Sequence, residues 1–191
     1  LYLCIGGTLA AVLCICDPLR TEAAQAVRAL HDCGISRVVM MTGDNRRTAQ
    51  AVAKAVGVDE VHAEVLPEDK AAFIRQAREK GHTVIMVGDG VNDSPALSEA
   101  DVGVAISTGA AIAQEIADIT VSSEDLMALV TLRQLSCALM ARIHRNYRFI
   151  IGFNCSLIGL GLIGILPPTT SALLHNMSTL GISMKSMTNL L

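Results

Sequence analysis

An α/β fold on a parallel sheet with helices on both faces, followed by a membrane-spanning helical hairpin, is what this sequence predicts. Three observations carry the prediction. Short β-branched runs alternate with amphipathic segments through the first two thirds of the chain. Two of those runs end in glycine- and carboxylate-bearing loops, at residues 42–45 and 88–93, where open α/β sheets bind ligands. The last acidic residue is Asp125, and two apolar stretches, 147–166 and 171–191, close the chain.

The elements follow in order. Residues 2–5 and 9–16, joined through Gly6-Gly7, read as a hairpin. Asp17-Pro18 breaks it. Residues 21–33 are helical, with Ala24, Val27 and Leu30 on one face and Gly34 as the stop. Residues 38–41 form a strand ended by Thr42-Gly43-Asp44, and Asn45 caps a helix whose apolar positions are Ala49, Val52, Ala53 and Val56. Residues 61–65 read as a strand. Residues 67–80 read as a helix with Pro67 at its start, Glu68 and Asp69 in the first turn, and Arg78 and Lys80 in the last, an order that complements the macrodipole. A buried strand is expected at 84–87, then strand 102–106, a helix at 110–117 and strand 118–121. A long helix over 124–145 leads to the apolar stretches. Pro167-Pro168 separates these, and Arg142, Arg145 and Arg148 place the near end on the cytoplasmic side by the positive-inside rule. Two buried core helices are the alternative, but no other part of the chain is large enough to cover them.

Composition narrows the function. A net charge of −3 and a pI near 5.9 give no sign of a nucleic-acid partner. A hydrophobic content of 51% is high for a soluble domain, and the excess lies after Tyr147. The six cysteines lack C-x-x-C or Cys/His zinc spacing, so Cys14 and Cys16 read as buried thiols in a reducing compartment. The chain starts at Leu1 inside an expected strand, which reads as a piece of a longer protein.

The densest polar cluster is Gly88-Asp89-Gly90-Val91-Asn92-Asp93-Ser94-Pro95. Two carboxylates about 4 Å apart repel by roughly 4 kcal/mol at an effective dielectric near 20. A hard cation relieves that, and Mg²⁺ prefers one or two carboxylates with phosphate oxygens. A turn whose Asp and Asn merely cap a helix is the plain alternative for G-D-G alone. With Thr42-Gly43 from one strand end and Lys70 from a helix start, hydroxyl, amide, ammonium and carboxylate suit a phosphoryl group with Mg²⁺. Lys70 alone would read as a solvated helix lysine; the preceding Pro67-Glu68 context reverses that.

The string G-D-G-V-N-D-S-P-A-L (residues 88–97) resembles the G-D-G-x-N-D-x-P-A-L signature of P-type ATPases, within the haloacid dehalogenase superfamily. Met41-Thr42-Gly43-Asp44-Asn45 and Leu66-Pro67-Glu68-Asp69-Lys70 resemble that family's second and third motifs, and Asp17-Pro18-Leu19-Arg20 its domain junction. The two terminal apolar segments are similar to the heavy-metal-transporting branch. The resemblance implies a Rossmann-like, haloacid dehalogenase-like sheet and four divisions: 1–16 as the end of a nucleotide-binding domain, 17–125 as a phosphorylation domain, 126–146 as a connecting helix, and 147–191 as a transmembrane helix pair. It implies an ATP-driven transporter of transition-metal ions that works through an aspartyl-phosphate. Asp89 would bind Mg²⁺, and Asp93, which would brace the loop, is a second candidate ligand. Thr42, Gly43, Lys70 and Asn92 would contact the phosphoryl group, and Asp44 would shape its loop. ATP would be held mainly by a nucleotide domain outside this chain. The partners would be the lipid bilayer and the parent's other domains and helices, with residues 1–146 cytoplasmic.

The family's phosphorylated aspartate, in a D-K-T-G-T motif, is nowhere in these residues, and neither is a Cys-Pro-Cys membrane motif. An anchored phosphatase of the same superfamily and a catalytically dead, membrane-bound interaction module therefore stay open. In the apolar segments, Asn154, His175, Asn176, Met177, Ser178 and Thr179 are candidates for the transported ion. Residues 175–179, H-N-M-S-T, are similar to the His-Glu-Gly-x-Thr motif of cobalt-type transporters, with Asn for Glu. Phe153-Asn154 and Met177-Ser178 echo the copper group's Tyr-Asn and Met-Ser pairs. Bonding between helices is the structural alternative for these polar groups. A divalent transition metal is the favoured cargo on imidazole chemistry.

Overall fold

The computed structural model describes residues 2–12, 18–88, 91–106, 116–121 and 125–189. They fall into two compact units, Leu1–Met127 and Ala128–Leu191. The first opens with an antiparallel hairpin, β1 (Tyr2–Ile5) and β2 (Thr8–Val12). Gly6 and Gly7 both take positive φ, 59° and 81°, as a two-residue turn matched to strand twist requires. Both strands are exposed along their whole length.

The α/β part runs α1 (Ala23–Asp32), β3 (Val39–Met41), α2 (Arg46–Val56), β4 (Glu60–His62), α3 (Pro67–Glu79), β5 (Ile85–Gly88), α4 (Ser94–Glu99), β6 (Val102–Ile106) and β7 (Ile119–Val121). All pairings here are parallel: β3 with β4, β5 with β6, and β6 with β7. The alternation of strand and helix dictates that geometry, since each parallel return needs a crossover. The helices stop where the residues require. Asn45 Oδ1 accepts from Thr48 N–H at 3.0 Å to open α2, and Gly57 closes it in the left-handed region at φ 82°. Asp69 Oδ2 takes the orphan Leu66 N–H at 3.2 Å at the head of α3. The core cluster is Ile74, Met86, Ala96 and Leu97, and Met41 from β3 packs against it. The two strand ends that matter are therefore tied to one apolar centre.

Several expectations need correction. The sheet is not continuous among the described residues: β3–β4 and β5–β6–β7 are separate pieces. Nor is β5 covered on both faces, because Met86 and Gly88 are buried while Ile85 and Val87 are exposed. The strand expected at 61–65 ends at His62, since Glu64 sits at φ 58° and cannot continue a ladder. Helix α1 buries Ala23, Ala26 and Val27, so its inner face is rotated from the one drawn through Ala24 and Leu30. Cys14, Cys16 and most of the helix expected at 110–117 lie outside the described residues.

The second unit is an antiparallel pair, α5 (Met127–Leu162) and α6 (Pro168–Ser186). One unbroken helix takes in both the connecting segment and most of the first apolar stretch. No helix among the described residues is long and apolar enough to cross a membrane. The reason lies in their limits. Helix α5 ends at Leu162, with Gly164 at φ 75°, leaving Ile163, Ile165 and Leu166 of the apolar run outside it. Helix α6 starts at Pro168, not 171, which adds Thr169 and Thr170 to a segment that already holds His175, Asn176 and Lys185, and it stops at Ser186. At the far end of the pair, Arg142 Nη1 donates to Ser186 O (3.1 Å) and Thr188 O (2.6 Å), and Nη2 to Asn189 O (2.6 Å). These are carbonyls at the α6 C-terminus that no intrahelical N–H can reach. Asn146 Nδ2 adds a bond to Ser186 Oγ at 2.9 Å.

Candidate functional site

Two polar loops stand at the carboxyl ends of β3 and β5. After Met41 the chain turns through Thr42-Gly43-Asp44, and the turn is held from both sides. Thr42 N–H donates to His62 O (2.9 Å), continuing the β3–β4 ladder, and Val65 N–H donates to Thr42 O (3.0 Å). The Thr42 hydroxyl donates to Asp44 Oδ2 at 3.0 Å and accepts from Asp44 N–H at 3.1 Å. Asp44 therefore fixes the rotamer of Thr42 while both stay reachable by solvent. Gly43 is exposed, and a Cβ there would meet only Val65 O at 3.9 Å.

At the second loop, β5 ends in Gly88, and residues 91–93 form one 3-10 turn before α4. Asp93, 8% exposed, is the buried charged residue of the described chain. Its Oδ1 accepts from Lys70 Nζ at 2.8 Å, with the two side chains only 12% and 16% exposed. A carboxylate withdrawn this far from water needs a charged partner. Helix α3 supplies it from its first turn because Pro67 and the Asp69 cap fix where that turn starts. Gly88 is required for the same pair: a Cβ there would lie 2.7 Å from Asp93 Cβ and 2.9 Å from Oδ2. The glycine makes room for Asp93 itself. Asn92 is exposed beside it. Asp89 and Gly90 lie outside the described residues.

Of the residues singled out from sequence, the structure thus joins Lys70 to Asp93 and Thr42 to Asp44. Sequence reading missed the first partnership, because residues 23 apart on different elements leave no local signal. It also missed the stitching behind the site. Arg75 donates to both Glu99 oxygens (3.1 and 3.3 Å), and Arg78 to Asp101 Oδ1 (3.0 Å) and Glu99 O (2.8 Å). The Arg75 hydrogen bond holds the Glu99 carboxyl below its ordinary range, against partial desolvation.

In the helical unit, His175 Nδ1 and Asn154 Oδ1 are 2.8 Å apart. Ser178 Oγ and Thr179 Oγ1 donate to His175 O at 2.8 and 3.0 Å. Asn176 and Met177 point elsewhere on α6 and are exposed. Among the described residues, no group of three or more His, Cys, Asp or Glu is placed to hold a metal ion.

A parallel α/β core with Thr42-Gly43 and Asp93 beyond its strand ends and Lys70 reaching in from the first turn of α3 defines a class, and the family comparison agrees. A family model for haloacid dehalogenase-like hydrolases matches residues 2–101, and the chain belongs to that family. Its homologues are copper- and zinc-transporting P-type ATPases. It is 47% identical over 174 residues to a copper-transporting ATPase of Rhizobium meliloti (strain 1021), covering 91% of this chain and 21% of the relative. It is 40% identical over 183 residues to a zinc-exporting P-type ATPase of Mycobacterium marinum, covering 95% of this chain and 25% of that one. Among solved structures, a zinc-transporting PIB-type ATPase in its E2.Pi state superposes with a TM-score of 0.81 at 33% identity. That match covers 88% of this chain and 27% of the other, a share larger than the first unit can supply, so it reaches into the helical pair. The chain spans about a fifth to a quarter of the length of these curated relatives.

Proposed function

We propose that this chain is the phosphate-handling and membrane-terminal part of an ATP-driven transition-metal transporter. The observation that carries the reading is the Lys70–Asp93 pair at the end of β5, on the same apolar core as the Thr42 loop. Lys70 brings positive charge to where a phosphoryl group's equatorial oxygens would lie, and Asp93 holds it there. From the opposite loop the Gly43 backbone N–H offers a donor, and the Thr42 hydroxyl, whose hydrogen rests on Asp44 Oδ2, would turn it to the phosphoryl oxygens on binding. Asn92, exposed beside Asp93, supplies an amide. Phosphoryl transfer asks for this kind of positioning and charge, with little covalent chemistry from the protein.

The donor set at the β5 loop suits Mg²⁺ in part. Asp93 has one oxygen on Lys70 and the other against Gly88, so it braces the loop, and Asp89 is the carboxylate proposed to hold the ion. Bound there, Mg²⁺ would neutralise charge on the phosphoryl oxygens. The aspartate that becomes phosphorylated is assigned to a part of the parent protein beyond these residues, as is most of the ATP site.

The helical unit is proposed to enter the bilayer as a hairpin, with residues 1–146 cytoplasmic. Its exposed side chains support this: Tyr147, Phe149, Ile150, Ile151, Ile158, Leu173, Leu180 and Met184 all face outward, and α6 buries nothing. The cargo is proposed to be a divalent transition metal met by His175 with Asn154, Ser178 and Thr179 around it. Asn176 and Met177 are the less favoured candidates. The test is ATP hydrolysis by the full-length protein against Cu⁺, Zn²⁺, Co²⁺ and Mn²⁺. Stimulation by a divalent ion that His175→Ala abolishes is expected. Stimulation by Cu⁺ alone, unchanged in His175→Ala, contradicts the cargo assignment.

A further inference from the structure

We infer that Asn154 is a positioning residue that fixes the tautomer of His175, so that Nδ1 carries the proton and Nε2 is presented as the ligating atom. The inference rests on the metal reading above and makes it specific. An amide oxygen can only accept, so a ring nitrogen 2.8 Å from Asn154 Oδ1 must donate. A neutral imidazole has one donor and one acceptor, which leaves the Nε2 lone pair free for a cation. A ring held through its other N–H in this way is the usual arrangement of a ligating histidine.

The hydroxyls on the same face follow the same logic. Ser178 and Thr179 lie three and four residues beyond His175 and spend their hydrogens on its carbonyl, at 2.8 and 3.0 Å. Their oxygen lone pairs remain free to accept on the face of α6 that carries His175. Asn176 and Met177, one and two residues on, do not share that face. The geometry thus selects His175, Ser178 and Thr179 as an imidazole-and-oxygen set. Such a set suits a borderline divalent ion better than Cu⁺, which thioether and thiolate ligands favour.

Nitrogen NMR of the chain in lipid nanodiscs, with labelled histidine and His175→Gln to assign the signal, tests this directly. At a pH well above the ordinary imidazole value of about 6.5, wild type should show a protonated Nδ1 and a bare Nε2. Zn²⁺ or Co²⁺ should perturb Nε2. Asn154→Leu should lose the fixed tautomer and weaken Zn²⁺ binding by about tenfold or more. Asn154→Asp, which keeps an acceptor, should retain the tautomer. A protonated Nε2 in wild type, or Zn²⁺ bound equally well in Asn154→Leu, overturns the inference and leaves the metal reading standing. A ring that neither Zn²⁺ nor Co²⁺ perturbs in wild type removes the metal reading, and the ligand assignment with it.

Discussion

Replacing Gly88 with alanine puts a methyl carbon 2.7 Å from Asp93 Cβ, 2.9 Å from Oδ2 and 3.1 Å from Cγ. Asp93 has little room to yield, being 8% exposed and held by Lys70 at 2.8 Å. Overpacking of this kind costs about 1–3 kcal/mol. Moving the carboxylate away from Lys70 adds the cost of separating a largely buried ion pair. Native-state hydrogen exchange of the α3 and α4 amides is the assay, because it reads this unit without requiring the helical pair to unfold with it. Protection there should fall by an amount in that range. In a Lys70→Met background the same substitution should cost less by more than about 0.5 kcal/mol, since the pair is already gone. Gly152→Ala, where a Cβ meets nothing within 4 Å, is the control and should be neutral or slightly stabilising. Unchanged protection in Gly88→Ala, or strict additivity with Lys70→Met, would refute the account of why Gly88 is a glycine.

Arg142→Ala should release the end of α6, raising amide exchange over 184–189, and Arg142→Lys should restore only part of it, because one ammonium cannot fork across three carbonyls. Glu99→Gln tests the α3–α4 stitching through pH. The folded-state carboxyl lies below its ordinary 4.5, so its contribution is present above that value and lost as pH falls through the lower one. The variant should therefore be less stable than wild type near neutrality, with the difference closing in acid; a constant difference across that range would contradict it. For topology, a membrane-impermeant thiol reagent added outside cells should label Thr169→Cys and not Lys80→Cys, and the reverse pattern would end the hairpin proposal.

Helices α2 and α3 were legible because their limits are written in single residues, Asn45 and Gly57 for α2 and Pro67 with Asp69 for α3, whereas Pro168, read as part of a break, opens α6. Parallel strands followed from the alternation itself. Which strands touch did not, since the separation of β3–β4 from β5–β6–β7 depends on long-range pairing that a local pattern does not encode. The same limit hid the Lys70–Asp93 and Arg142 contacts, each joining residues far apart in the chain. Thr42, Lys70 and Asp93 could be named from motif spacing. That Asp44 aims Thr42, and that Asp93 fills the space Gly88 leaves, depends on side-chain geometry that motif spacing does not encode. In the helical unit, hydropathy marks apolar stretches but says nothing of where a helix stops, and Gly164 stops α5 before its apolar run is spent.

The β3 and β5 loops are proposed to stabilise a transferred phosphoryl group without themselves accepting it covalently. The most direct measurement is acid-stable label from the γ-phosphate of ATP, made on the full-length protein and on residues 1–191 alone. Label is expected on the full-length protein, with its loss in Asp89→Asn and a fall of about 10²–10³ in the rate of labelling in Lys70→Met. None is expected on residues 1–191. Label retained by residues 1–191 after acid quench, or full labelling in both variants, would contradict the proposal.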